Sequence, residues 1–291
     1  MMIGKKHLPS YEVFNRPLPG WHPKAIYYRT LKLFLKTFGR LSDGIRIGLR
    51  SGFNSGAMLD YIYRNRASGI TFLGRALDRA YLNSQESRCI RQRGGILKQF
   101  LLKIIKENSS QHITTVLLDV ACGIARYDLE ILWDLSPKTY QATLWDGNVE
   151  NVQKAQQLAS DLGVKATIEQ ADAFSDRDLD RVIPHPNLII LSGLHETVSD
   201  NYLVIRHFHQ LFRILEPGGT LICTVQTDRP QLELITQMLN AHRPRSQMTK
   251  VRSLEQIKAW ILAVGFTNLE VQMDFVGIYG AIVAKKGLQD R

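Results

Sequence analysis

After residue 111 the chain changes its period, and this change constrains the fold more than any other feature. Short apolar, β-branched runs recur at 113–120, 142–146, 164–170, 187–192 and 220–226, with helical patterns between them at 125–135, 148–162 and 199–214. Strands separated by helical segments make βαβ units, and right-handed crossovers turn those into a parallel sheet. Ser253-Leu-Glu-Gln256 has the form of a capping box and opens a further helix over 253–264. The last two runs, 267–275 and 277–286, are separated by too little chain for a crossover and must pair antiparallel. The expected fold class is α/β, a seven-stranded, mostly parallel sheet closed by an antiparallel C-terminal hairpin.

The first 110 residues read differently. They carry 20 Lys and Arg against 6 Asp and Glu, a net +14, whereas residues 111–291 carry 17 against 21, a net −4. That asymmetry divides the chain into a basic helical cap, 1–110, and a catalytic domain, 111–291, with the boundary near Glu107-Asn-Ser-Ser110. From Lys24 to Leu41, Ile26, Tyr27, Leu31, Phe34, Leu35 and Phe38 recur at helical spacing among Lys24, Arg29, Lys32, Lys36 and Arg40. Such a basic amphipathic helix either packs on the protein body or rests on an anionic membrane surface as a peripheral contact. A helical pattern follows within 51–66, and another spans 70–107 with a break expected at Gly94-Gly95. Arg75, Arg79, Arg88, Arg91 and Arg93 crowd this last segment, with Asp78 and Glu86 as nearby partners. Cys89, Cys122 and Cys223 are few and without C-x-x-C spacing, which argues against disulfides and zinc and for a reducing, cytoplasmic setting. Neither a transmembrane segment nor an apolar signal region is expected.

In an open α/β sheet, ligands bind beyond the carboxyl ends of the strands. The first strand ends Asp119-Val-Ala121-Cys-Gly123-Ile-Ala125-Arg126, whose small residues let backbone approach a ligand closely or simply allow tight strand-to-helix packing. A carboxylate just ahead of this turn would repel a pyrophosphate but suits an ammonium group. Asp119 therefore points to a cationic or zwitterionic ligand such as the methionine part of S-adenosylmethionine, with Arg126 available to its carboxylate. Asp146 ends the second strand, where an acid accepts hydrogen bonds from ribose hydroxyls or caps the next helix. Asp172 and Ala173 follow the third, placed to read an adenine ring through a carboxylate and a backbone N–H. Ser192 and Gly193 close the fourth strand and lead into His195 and Glu196. If the acceptor is a hydroxyl, His195 or Glu196 is the candidate base; alternatively, His195 hydrogen-bonds backbone. His207 and His209, two apart on a helix, do not share a face, so no metal site is expected.

The order Asp119-x-Ala-x-Gly123, Asp146, Asp172-Ala173, Glu216-Pro-Gly-Gly219 resembles class I S-adenosylmethionine-dependent methyltransferases, which implies a Rossmann-like sheet and that cofactor. Further stretches are similar to a bacterial methyltransferase group without an assigned substrate, some members of which are fused behind an α/β-hydrolase domain. They include Gly52-Phe-Asn-Ser-Gly56, Leu59-Asp-Tyr-Ile-Tyr-Arg-Asn65, Ile90-Arg-Gln-Arg93, Ser192-Gly-Leu194, Pro230-Gln-Leu-Glu233 and Ala241-His-Arg243. The chain departs from the pattern at Ala121 and Ala125, which replace glycines, and at Pro244–Lys250. By position, Asp60, Tyr61, Tyr63, Arg64 and Asn65 become candidate acceptor residues. The basic front favours an anionic acceptor, a small molecule or a lipid. Nucleic acid ranks lower, because Ser192-Gly-Leu-His195 lacks the Asn/Asp-Pro-Pro-aromatic loop of exocyclic-amine methylation and no cysteine nucleophile stands there. The competing reading is a non-catalytic RNA- or membrane-surface-binding protein that retains the fold.

Overall fold

A computed structural model describes residues 19–53, 55–228 and 251–288. The Pro230–Glu233, Ala241–Arg243 and Pro244–Lys250 stretches lie outside the described residues. Strands β1 (Thr115–Asp119), β2 (Tyr140–Asp146), β3 (Thr167–Gln170), β4 (Leu188–Leu191), β5 (Thr220–Gln226), β6 (Phe266–Met273) and β7 (Tyr279–Lys286) form one sheet in the order 3-2-1-4-5-7-6. The first five are parallel, and β7 runs antiparallel to both β5 and β6, as expected. Asp274 closes the hairpin by accepting from the backbone N–H groups of Val276, Gly277, Ile278 and Tyr279.

Among the described residues five helices precede the sheet: α1 (Pro23–Thr37), α2 (Asp43–Ser51), α3 (Gly56–Arg64), α4 (Phe72–Leu82) and α5 (Gln85–Ser110). The others are α6 (Arg126–Trp133), α7 (Val149–Leu162), α8 (Asp176–Asp180), α9 (Asn201–Ile214) and α10 (Leu254–Val264). Every residue of β4 and β5 is buried, because helices cover both faces of the sheet. On one face, Ile96, Leu97, Phe100, Leu101, Ile104 and Ile105 of α5 share a core with Leu117, Leu144 and Ile190. At about 1.5–3 kcal/mol for each fully buried aliphatic or aromatic side chain, that stripe welds α5 to the sheet. The last helix of the basic segment is thus part of the sheet's own core. On the other face Phe208, Leu211 and Ile261 pack against Leu118, Ile189 and Leu221.

Two expectations for this segment are corrected. The break in 70–107 falls at Asn83-Ser84, where Ser84 caps α5, and the helix continues through Gly94-Gly95. Gly94 serves packing: a Cβ there would lie 2.6 Å from the Tyr63 ring. Among the described residues Asp78 makes no ion pair with an arginine. It is buried and accepts from the Ser42 hydroxyl and the N–H groups of Asp43, Gly44 and Ser68, tying α4 to the start of α2. Trp21 just before α1 and Ile26, Tyr27 and Leu33 on it are all more than half exposed, and Ala25 is buried. No described helix is long and apolar enough to cross a membrane.

Candidate active site

The strand order reverses direction between β1 and β4, so the loops leaving their carboxyl ends diverge and open a crevice there. A cavity of about 150 Å³ occupies it. Its floor is the loop Ala121–Arg126, one side is Ser192–Leu194 after β4, and its roof is Gly56, Leu59, Asp60 and Tyr63 of α3. The loop turns sharply because Gly123 adopts φ +62° and Ala125 adopts φ +55°. The second is strained for an alanine by roughly 1–2 kcal/mol, and it caps α6 without a side-chain hydrogen bond. Roof and floor touch backbone to backbone. A Cβ on Gly56 would stand 2.9 Å from the Gly123 Cα and 2.8 Å from the Asn151 amide nitrogen. Asp60, buried, adds a charged clasp by accepting from Arg126 of α6 and from Arg64.

Asp146 stands on the cavity wall with Oδ2 accepting from Gly123 N–H (3.0 Å) and Oδ1 from Asn148 N–H and the Asn151 amide. Burial pushes its carboxyl upward, against the pull of those three donors. A carboxylate offers about four lone-pair sites, which leaves capacity for a ribose hydroxyl. Ala121, Gly123, Arg126, Ser192 and Gly193 line the same cavity, as does Tyr63 from the cap.

Asp119 lies elsewhere. It is fully buried beneath the loop, with Oδ1 accepting from Ala121 N–H (2.9 Å) and Oδ2 from the Tyr127 hydroxyl. Desolvation pushes it up to about 7, even though Tyr127 and the Ala121 N–H favour the ionised form. Its carboxylate therefore braces the loop from below and presents no face to the cavity. Asp128, also fully buried, has neither oxygen hydrogen-bonded, and burial followed by repulsion from Asp119 lifts it well above the usual range. Tyr127 and Asp128, eight and nine residues past Asp119, were the signal for this arrangement.

His195 is not among the residues that line this cavity. Its ring is buried, 2.9 Å from His207 through the ring nitrogens and edge-on to Phe208. Burial drives both imidazoles down, His207 to about 4. Glu196, also buried, accepts from the Thr224 hydroxyl through Oε1, and Thr224 in turn accepts from Gly193 N–H; Glu196 Oε2 has no hydrogen-bond partner. Asp172 is exposed at the end of β3, where it accepts from Phe174 N–H, and Ala173 is buried beside it; neither lines the cavity. Tyr61 is packed with Met58 and Ile62, Arg64 pairs with Asp60, and Asn65 caps α3 in the left-handed conformation, so none of these three lines the cavity.

The model of a family described as "Putative methyltransferase" matches residues 4–286. The chain belongs to that family. Among curated proteins it is 33% identical over 265 residues to the uncharacterized protein YnbC of Escherichia coli (strain K12), covering 90% of this chain and 45% of the relative. The chain thus spans less than half the length of that relative. A protein from Bordetella parapertussis described as possibly exported superimposes with a TM-score of 0.67 at 17% identity, covering 95% of this chain and 92% of that one. The carbon methyltransferase of CurJ gives 0.58 at 16% identity, covering 91% and 72%. An O-methyltransferase family protein from Burkholderia thailandensis gives 0.52 at 14% identity, covering 96% and 77%. Family and fold agree: the chain is a member of a methyltransferase family and is built on a Rossmann-like, mostly parallel sheet.

Proposed function

We propose that the protein transfers a methyl group from S-adenosylmethionine to an anionic small-molecule or lipid acceptor held between the cap and the sheet. One observation carries this reading: a single cavity is walled jointly by helix α3 and by the loops after β1 and β4. The cofactor supplies a methyl group activated on a sulfonium centre. The residues present fit it: closely approachable backbone at Ala121–Gly123, and Asp146 with acceptor capacity to spare for a ribose. Asp172 and Ala173, at the end of β3, remain the residues proposed for adenine. Asp119 acts through the loop it braces.

Methyl transfer is an in-line displacement, and the protein's main task is alignment. The roof residues Leu59 and Tyr63 exclude water and orient the acceptor. Of the two residues proposed as a base, Glu196 has an oxygen without a protein partner, whereas His195 spends its ring nitrogen on His207. We assign residues 1–110 the role of cap, anchored by α5 and clasped to the site through Asp60. The exposed Trp21, Tyr27 and Leu33 beside Arg29 and Lys32 support a peripheral membrane contact and, with it, a lipid acceptor.

Isothermal titration with S-adenosylmethionine tests the reading. Saturable binding by the wild type, weakened at least tenfold in Asp146→Ala, is expected. A folded wild type that binds none would overturn it. Labelled methyl transfer to anionic small molecules, or to vesicles containing anionic lipid, then separates the two acceptor classes.

A further inference from the structure

Arg93 is a buried cation that makes no ion pair within 4 Å among the described residues. It sits on α5 with 3% of its surface exposed, and the carboxylate that acts on it, Glu196, does so from beyond contact distance. Its Nη2 donates to the Tyr63 hydroxyl at 3.3 Å, its guanidinium lies 5.3 Å from the centre of the Tyr279 ring, and its Nε has no partner at all. Burial would lower its pKa, but Tyr63, Glu196 and Tyr279 outweigh that and hold it charged. A guanidinium removed from water, with one phenol, one ring and a carboxylate that does not touch it, leaves its buried Nε–H unsatisfied, which is costly unless a further acceptor completes the shell.

The position of this cation relates it to the cavity. Tyr63 and Gly193 both line the cavity, and Arg93 stands directly behind them. A Cβ on Gly193 would reach within 3.8 Å of Arg93 Nη1, so only a glycine separates the guanidinium from the cavity on that side. Arg126, the other arginine at the site, is committed to Asp60 and Glu130. Arg252 donates to the carbonyls of His195 and Val198 and to Asn201. Among the described arginines around the cavity, Arg93 is the one with a buried donor to spare.

We infer that Arg93, with the Tyr63 hydroxyl, forms an oxyanion-binding subsite at the inner end of the cavity that takes a carboxylate or phosphate. The inference rests on the proposed function, and two sources of that chemistry exist: the carboxylate of the cofactor's methionine part, or an anionic group of the acceptor. A charge-assisted bidentate contact of this kind discriminates by roughly 10- to 100-fold.

The test compares wild type, Arg93→Gln, Arg93→Lys and Tyr63→Phe, with binding of 5′-methylthioadenosine, which lacks the amino-acid part, reporting an intact nucleoside site in each. If the cofactor's carboxylate is the ligand, the wild type prefers S-adenosylmethionine to its decarboxylated form by roughly 10- to 100-fold. Arg93→Gln abolishes that preference, and Arg93→Lys and Tyr63→Phe reduce it. If the acceptor's anion is the ligand, the preference is unchanged. Inorganic phosphate then raises the melting temperature of the wild type saturated with S-adenosylhomocysteine, but not that of Arg93→Gln. Should Arg93→Gln fail to fold, Arg93→Lys and Tyr63→Phe carry both arms. Wild type that binds methylthioadenosine, with neither arm altered by any variant, overturns the subsite alone. Wild type that binds no nucleoside overturns the cofactor reading beneath it.

Discussion

Replacing Asp128 by asparagine asks whether a protonated acid lies under the loop that follows β1. Asp119 and Asp128 are both fully buried, and desolvation is the main reason their carboxyls rise, Asp119 to about 7 and Asp128 well above the usual range. In an unfolded chain an Asp ionises near pH 4. Above that pH the folded protein holds protons that the unfolded chain has lost. The stability these groups contribute is therefore whole below about pH 4 and falls as pH rises through their folded values. The buried imidazoles act in the opposite sense. Burial lowers His195 and His207, so below about pH 6.5 the unfolded chain binds the extra protons and stability rises with pH. Above about pH 7.5 the imidazoles are neutral in both states, and the carboxyls alone remain of these four groups.

A proton that folded Asp128 retains makes its contribution to stability fall by about 1.4 kcal/mol for each pH unit over which it stays bound. Asparagine has the shape of the protonated acid and no proton to lose. Asp128→Asn should therefore gain on the wild type by about 1.4 kcal/mol per pH unit over the range in which the folded protein keeps that proton. Urea midpoints at half-unit steps of pH, converted with a common m value, measure the difference. A gap between the two proteins that stays constant with pH would refute the reasoning.

Two further outcomes concern the backbone around the site. Gly94→Ala should cost roughly 1–2 kcal/mol in thermal unfolding despite the better helix propensity of alanine, because its Cβ meets the Tyr63 ring. Gly95→Ala, with nothing within 4 Å, should instead gain about 0.5–1 kcal/mol. Relief of the left-handed strain at Ala125 makes Ala125→Gly more stable by about 1 kcal/mol, read from the same melting curves.

Much of this architecture was legible in the chain because local and global signals agree. The run that became β4 is apolar throughout and those of β1 and β5 are mostly so, a composition that survives only where both faces of a strand are covered. The strand ends marked the crevice, since topology alone puts Asp146, Ala121–Gly123 and Ser192–Gly193 together. Side-chain direction was not legible. Asp119 holds the expected place, but the Tyr127 hydroxyl and the Ala121 N–H turn it under the loop. His195 meets His207 only because the chain after β4 folds back onto α9, twelve residues on. Gly94-Gly95 looked like a break because glycine pairs usually punctuate, whereas here Gly94 answers a ring thirty-one positions earlier. Arg93 was one of five crowded arginines, and only burial separates it from the rest.

The contact between Gly56 and Gly123 limits how such a chain can diverge. Elsewhere the cap and the sheet meet through side chains, and one partner can shrink while the other grows. At this point they meet through two α-carbons with no side chain between them. A larger residue at either position can be accommodated only by a retreat of the whole of α3, whose Met58 and Ile62 are buried against other parts of the cap. The cavity wall can therefore vary at Leu59 or Tyr63 while the contact between α3 and the loop after β1 keeps its glycines.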